Sequence, residues 1–415
     1  MQMENWVAIS SPGRADFLNT HQDYKGLPVV PVAINLRMHL YGELRDDKSF
    51  TIKSFDLEKL NEMSTDSFEI GINEMKEGKF FGNYFRGVIN VLVKKGFADK
   101  LRGMNISIKS EIPVGSGLSS SAALEVGFTE MLNHACHLGL GRKDLAEIAF
   151  TAENKEAGIP CGRLDQYGVA FGGIIKLECR PPYNVEPLSF KDLTFAIVDS
   201  GIRHSTADIH PRRQEDINRG LKALMESSKV PQTLKRKLGR KFNEPAWEEI
   251  REEELKDFLS IMDDKARRRI IFTLRMQKLT EFALKVLRRE KISSKEVALN
   301  LGEDRLTAIK NTPAAERNHR ILGEVMNDQH ALLRDLYDVS LPKLDEICVA
   351  ALEAGGYGAK ISGAGMGGSI IVLVKNEEAG RRVVEACLDV GARCGWVSKV
   401  GEGVRVEKPA SRVMS

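Results

Sequence analysis

The chain has 415 residues, 61 Lys+Arg against 58 Asp+Glu, a formal net charge of +3, 42 % hydrophobic and 29 % charged residues. So even a charge balance excludes dedicated polyanion binding, and with it nucleic acid as a partner; no run of roughly 20 apolar residues exists to cross a bilayer. The opening MQMENWVAIS lacks the basic and apolar parts of a secretion leader, and the six scattered cysteines contain no C-x-x-C pair, so free thiols in a reducing cytoplasm are expected. The length suits two or three domains on the order of 100–200 residues each.

In chain order, Val29–Leu36 is an apolar run rich in β-branched residues and predicts a buried strand. Phe81–Lys94 has helical apolar spacing, and Asn105–Ile112 alternates as a strand does. A Gly/Ser loop follows at Pro113–Ser121, then an apolar helix over Ala122–His137. Strands are predicted at Ala170–Leu177 and Thr194–Asp199. From Pro211 to Glu296 the sequence turns highly charged and helical, and the run Lys235–Lys241 reads as a solvated face rather than a nucleic-acid patch because acidic residues follow it. A β-α-β ending is predicted from Gly358–Ser362, Ser369–Lys375, Glu377–Val390 and Val397 onward. A boundary between Cys179 and Thr194 divides the chain into domains 1–190 and 191–415, two α+β lobes with the active site expected between them.

Three loops concentrate polar chemistry. Pro113-Val-Gly-Ser-Gly-Leu-Ser-Ser-Ser121 lies between a predicted strand and a predicted helix. Its glycines admit a ligand to the backbone, the helix end offers N–H groups and positive dipole, and its serines add donors. The loop is either a polyphosphate cradle or a helix-capping turn, and it lacks the Lys-Ser/Thr ending of a Walker A loop. Gly363-Ala-Gly-Met-Gly-Gly368 matches G-x-G-x-x-G, but a strand rather than a helix follows, which argues against a dinucleotide site. Pro12–Gly26 reads as a loop carrying Arg14, Asp16, His21, Asp23 and Tyr24, a mixture of donors and acceptors that suits sugar hydroxyls or plain solvent. Asp165, in GIPCGRLDQ, is either a general base or a turn residue.

Taken together these stretches resemble the GHMP kinase superfamily, and within it the galactokinase branch. PGRADFLNTHQDYKGLPVVPVAI resembles the branch's sugar signature and PVGSGLSSSAALEVG its ATP loop. GIPCGRLDQ resembles the segment with the catalytic Asp, and DSGIRHSTADIHPRRQED, MNDQHALLRDLYDVSLPKLDEI and KISGAGMGGSIIVLV resemble three further motifs in family order. The resemblance implies an α+β, two-lobed GHMP kinase fold. Its N-terminal lobe would hold a mixed sheet; its C-terminal lobe would be ferredoxin-like with a helical insertion over about residues 211–320. It implies an ATP- and Mg²⁺-dependent sugar 1-kinase, cytoplasmic and partnered by ATP and a small sugar; the sequence leaves the oligomeric state open, with a monomer favoured.

By the same resemblance, Asp165 would accept the proton of the anomeric hydroxyl, with Arg14 beside it and the γ-phosphate. Thr20, His21, Asp23, Gly162 and His210 would face the sugar. Phe81, Gly115, Ser116, Gly117, Leu118, Ser119, Ser120, Ser121, Gly363 and Gly365 would face ATP, and Ser121 and Glu153 would hold Mg²⁺. The sequence departs from the pattern at Thr20 (Glu in the family), Asp16 (Asn) and His210 (Tyr). In the family the Glu reads the sugar's C6 hydroxymethyl group, so the acceptor is galactose or a galactose-configured sugar altered at C6. L-arabinose, galacturonate and an N-acetylhexosamine are the alternatives, with Arg163 a candidate partner for a uronate carboxylate. A catalytically silent sensor would lack the base or the loop serines, and both are present.

Overall fold

The structure, a computed structural model, describes residues 5–78, 80–113, 116–203 and 206–408. The chain forms two compact units that interleave in sequence. One takes the residues up to Arg14, Val32–Gly173 and those from Gly401; the other takes Ala15–Pro31 and Ile174–Val400.

Strands β1 (Trp6–Leu18), β2 (Val30–Leu44), β3 (Ser49–Ser54), β4 (Thr65–Glu69) and β5 (Met104–Ser110) form a sheet with the short strand Arg405–Glu407; all of it belongs to the first unit except Ala15–Leu18 and Val30–Pro31. The order among the described residues is Arg405–Glu407, β1, β2, β5, β3, β4. β2 and β5 are antiparallel with Leu40 opposite Ile108, whereas β3 and β5 are parallel, so the sheet is mixed. The longer helices of this unit are α1 (Gly82–Lys94), α2 (Ser120–Ala135), α3 (Arg142–Thr151) and α4 (Leu164–Phe171). Phe85, Val88, Ile89 and Leu92 recur at helical spacing on α1 and are buried, which is the amphipathic stripe that makes it a helix.

In the second unit, β6 (Thr194–Asp199), β7 (Gly358–Ser362), β8 (Ser369–Val374) and β9 (Cys394–Lys399) form an antiparallel sheet in the order β9-β6-β8-β7. Its longest helices are α5 (Thr206–Glu226), α6 (Asp264–Leu287), α7 (Arg317–Asp335), α8 (Pro342–Glu353) and α9 (Glu377–Asp389). With α8 before β7 and α9 between β8 and β9, the connectivity is the expected ferredoxin-like β-α-β-β-α-β, and α5 to α7 are inserted after its first strand. Every residue of β6 and β8 is buried. That is why both read as unbroken apolar runs: they are the inner strands, covered on both faces. Val198, Ile361, Ile370 and Val372 pack with Phe272, Leu333, Tyr337 and Leu344 in one core, and Ile217, Leu221, Trp247 and Ile270 form a second within the insertion.

Several local expectations change. Pro12–Leu18 is not loop but the second half of β1, and every residue from Ile9 to Thr20 is buried. Pro12 and Gly13 read as punctuation; Gly13 is there because a Cβ would stand 2.9 Å from the Leu118 carbonyl oxygen. The strand expected at Ala170–Leu177 is helix α4 up to Phe171 and strand only over Ile175–Leu177, with Gly172 and Gly173 at positive φ making the break. The strand at Val29 runs on to Leu44, and the helix after the Gly/Ser loop starts at Ser120, two residues early. All six cysteines are free, and among the described residues no helix is long and apolar enough to cross a membrane.

Candidate active site

The first unit gathers a basic residue, three carboxylates and the Gly/Ser loop. Arg14, on β1, donates from Nε and Nη2 to Oδ1 of Asp165 at 2.9 and 2.6 Å, and from Nη1 to the Gly117 carbonyl oxygen at 2.7 Å. Its own backbone N–H donates to the Leu118 carbonyl oxygen at 3.1 Å. One arginine thus joins strand, loop and the first turn of α4. Its side chain is buried, while that of Asp165 stays 28 % exposed, so the carboxylate can be reached from outside.

Behind this pair lie Glu153 and Glu125. Glu153, in the π-type turn Ala152–Glu156 that ends α3, accepts from Gln166 Nε2 at 2.6 Å. Burial, then the neighbouring Asp165, raises its pKa from the ordinary 4.5 to about 7, against opposing hydrogen bonds from Ser121 and Cys161. Glu125, one turn along α2 from Ser121, is fully buried, and neither carboxylate oxygen has a hydrogen-bond partner. Burial and the charge of Glu153 hold its pKa well above the ordinary range.

The loop itself is shaped for an incoming ligand. Gly117 is exposed at φ +76°, with nothing within 4 Å of a Cβ placed there. Ser119 takes the left-handed conformation at φ +61°, uncommon for a non-glycine residue, and its hydroxyl is buried without a partner. Ser116 Oγ donates back to the Pro113 carbonyl oxygen at 2.8 Å, and Ser120 and Ser121 are half-buried at the start of α2. Gly115 lies outside the described residues. Phe81 caps α1 and packs edge-on against Phe80 and Phe85, and Gly162 is exposed.

The second unit gathers the remaining candidates. Thr20 is buried, and its Oγ1 accepts from Lys360 Nζ at 2.8 Å; the same ammonium donates to the carbonyl oxygens of Asp16 and Ile361 at 2.9 and 2.8 Å. Full burial lowers the pKa of Lys360 to about 8, with Asp16 acting against that shift. His21 sits at φ +66° and its Nε2 lies 3.0 Å from the Ala364 carbonyl oxygen in the glycine loop. A carbonyl only accepts, so Nε2 carries the proton and Nδ1 faces the Tyr24 hydroxyl at 3.5 Å. Burial, then the charges of His210 and Lys25, keeps the pKa of His21 well below its ordinary value, so the ring is neutral. Asp23 opens the single turn Asp23–Lys25 and is half-buried. The His210 ring, on α5, lies 5.2 Å from both the His21 and Tyr24 rings. In the glycine loop Gly363 has open space, whereas a Cβ on Gly365 would stand 2.3 Å from the Val339 carbonyl oxygen.

Sequence reasoning missed Tyr337, Lys25, Lys360 and Glu125. Tyr337 is fully buried, stacks on Phe272 at 4.0 Å and shares a hydrogen bond with Tyr24. A lysine or tyrosine in a polar stretch carries no local signal of burial; only Glu125, charged inside an apolar helix run, could have been suspected. Arg163 is not open to a uronate carboxylate: it donates to Glu147 at 2.7 and 3.2 Å and covers the Phe150 ring at 4.0 Å.

Comparison with known proteins places these features. Residues 83–173 match the GHMP kinases N terminal domain, residues 308–393 the GHMP kinases C terminal, and residues 2–43 the galactokinase galactose-binding signature. Galactokinase of Thermococcus kodakarensis is 29 % identical over 91 % of this chain and 93 % of its own, and that of Pyrococcus furiosus 28 % identical over 95 % and 96 %. The crystal structure of Lactococcus lactis galactokinase complexed with galactose superposes with a TM-score of 0.75 at 27 % identity, covering 96 % of this chain and 95 % of that one. Methanococcus jannaschii mevalonate kinase shares the fold at a TM-score of 0.63 and 17 % identity, covering 97 % of this chain and 100 % of that one. Two lobes of this topology and a glycine–serine loop tied to an Arg–Asp pair define a GHMP kinase, and the chain belongs to that superfamily. Within it the chain falls in the galactokinase branch, whose sugar-binding signature it carries at its N-terminus.

Proposed function

We propose that the protein is an ATP-dependent sugar 1-kinase of the galactokinase type, moving the γ-phosphoryl group of ATP to the anomeric hydroxyl of a galactose-configured sugar. The observation that carries this reading is the Arg14–Asp165 pair tied to the Gly117 carbonyl. In this reading Asp165 accepts the hydroxyl proton on the oxygen that Arg14 leaves open, the sugar oxygen attacks the γ-phosphorus, and ADP departs. The Arg14 guanidinium orients Asp165 and faces the charge that spreads over the moving phosphoryl oxygens. Residues 116–121 wrap the phosphates, with the unpartnered Ser119 hydroxyl and the N-terminal N–H groups of α2 as donors.

A divalent cation fits this corner. Ser121 and Glu153 supply hard oxygens, and among the described residues no group of three or more His, Cys, Asp and Glu could hold a metal by itself. That matches Mg²⁺, which takes one or two protein oxygens and completes its shell with phosphates and water. When bound it supplies charge neutralisation on the β- and γ-phosphates.

Thr20, His21, Asp23 and His210 face the sugar in this reading, with the neutral His21 ring as a hydrogen-bonding group rather than a charge. Because Arg163 is committed to Glu147, a neutral sugar is favoured over galacturonate. The test is Mg²⁺-dependent ADP release against D-galactose, L-arabinose, D-galacturonate, D-glucose, N-acetylgalactosamine and mevalonate. D-galactose is expected to turn over best. Preference for L-arabinose moves the reading to a pocket retuned around Thr20, and silence on every sugar overturns it. Asp165→Asn is expected to lower kcat by about 10²–10⁴-fold while ATP still binds; an unimpaired variant sinks the mechanism.

A further inference from the structure

Tyr337 is the hub of the second unit's polar cluster. Its ring lies 5.0 Å from His21 and 4.0 Å from Phe272, and the Lys25 ammonium sits 4.7 Å over its face. Its hydroxyl meets that of Tyr24. Tyr337 sits just beyond α7, in a turn whose backbone is strained: Asp338 has φ +52°, a conformation that costs a non-glycine residue of order 1–3 kcal/mol unless its surroundings impose it.

Three arginines impose it. Arg213, on α5, donates from Nε to the Tyr337 carbonyl oxygen and from Nη2 to that of Asp338, both at 2.8 Å. Arg269, on α6 and 2 % exposed, donates to the Leu336 carbonyl oxygen and, at 2.6 Å, to Asp338 Oδ2. Arg268 takes the other Asp338 oxygen at 2.6 Å. The far end of the turn holds the glycine loop, because the Met366 N–H donates to the Val339 carbonyl oxygen at 2.7 Å and Gly365 packs against the same carbonyl. One clamped turn therefore supports both the His21–Tyr24 segment and the loop whose Ala364 carbonyl receives the His21 proton.

We propose that Arg213 and Arg269 are positioning residues for the acceptor sugar: they fix the 336–339 turn, and through Tyr337 they set the placement of Tyr24 and His21. Neither arginine touches the sugar. The inference rests on the reading of His21 and Asp23 as sugar-facing residues. Arg213 and Arg269 also line an open cleft of about 360 Å³ with Arg212, Glu215, Asp216, Lys265 and Asp338. Water entering it can satisfy carbonyls freed by a shorter side chain, so Arg213→Gln is expected to fold.

The test is steady-state kinetics of Arg213→Gln, Arg269→Lys and Tyr337→Phe with both substrates varied, beside Asp23→Asn. A mis-set acceptor loop raises the sugar KM by about 10- to 100-fold and leaves the ATP KM within about twofold, since small displacements of positioning groups cost that much. A purely structural role lowers the melting temperature and leaves that split unmoved, which overturns the proposal. Equal rises in both KM values overturn it as well. Should Arg269→Lys fail to fold, Tyr337→Phe carries the test, because it deletes one oxygen and keeps the ring. If Asp23→Asn raises the sugar KM and the other three variants do not, the positioning role fails alone. An unchanged sugar KM in Asp23→Asn removes the reading beneath it, and the proposal with it.

Discussion

Arg14 is a short residue-scale argument for how this site works. Its three side-chain donors are used on Asp165 and on a loop carbonyl, so the base, the strand and the phosphate loop are fixed by one planar fork that a lysine cannot reproduce. Arg14→Lys is therefore expected to cost kcat far more than stability, measured by turnover and thermal melting side by side. Glu153 makes a second case. Its pKa of about 7 means that the folded carboxyl keeps its proton through the window from 4.5 to 7 in which the unfolded one loses it, so stability falls as pH rises through that window. Above it the buried charge costs about 3 kcal/mol. Glu153→Gln should melt well above the parent protein at pH 8, match it near pH 4.5, and be inactive; an equal gap at both pH values sinks the argument. Thr20→Val removes one of the three acceptors of the buried Lys360 ammonium and is expected to cost about 1–3 kcal/mol in urea unfolding. No loss would mean that the ammonium finds another partner or gives up its proton.

At the scale of the element, the two glycine-bearing loops differ in what a side chain would meet. Gly117 has φ +76° and open space, so Gly117→Ala carries only the cost of left-handed backbone, about 1–2 kcal/mol. Gly365 has φ +80° and the Val339 carbonyl oxygen 2.3 Å from the would-be Cβ, so Gly365→Ala should cost clearly more and displace the glycine loop from the 336–339 turn. Denaturant titration of the two variants separates the cases; equal losses would mean the Val339 contact is soft. The inner strands β6 and β8 were legible as sequence, because burial on both faces leaves no polar alternation to confuse. β1 was not: its buried polar residues Ser10, Ser11 and Arg14 and the Asp16 N–H meet partners distant in sequence, and a window of neighbours shows only polarity.

On the scale of the molecule, the chain's end completes its beginning. Arg405–Glu407 pairs with β1, Ile9 opposite Val406, and Arg37 of β2 donates to the carbonyl oxygens of Glu402 and Gly403 at 2.8 and 2.9 Å. Burial lowers the Arg37 pKa to about 10, a guanidinium that depends on those partners. Ending the chain at Gly401 removes both carbonyls and the strand. The expected loss is about 3–5 kcal/mol, the scale of a buried charge left unpartnered, read by urea unfolding and by faster proteolysis of the first unit. A truncated chain of unchanged stability would show that the last strand is an ornament of the sheet rather than part of its closure.

By itself the sequence determined the superfamily, the order of the elements and the residue types at the candidate site. Those are local or short-range properties: periodic burial, glycine spacing and motifs that stay contiguous in the chain. Only the tertiary structure decided which residues share a partner. The Arg14–Asp165 pair was expected from the resemblance, but the pairing of Thr20 with Lys360 and of Arg213 with the Tyr337 turn, joining positions 340 and 124 residues apart, was not. Hydrogen bonds and buried charges are satisfied in space, and a linear pattern carries no record of the group that satisfies them.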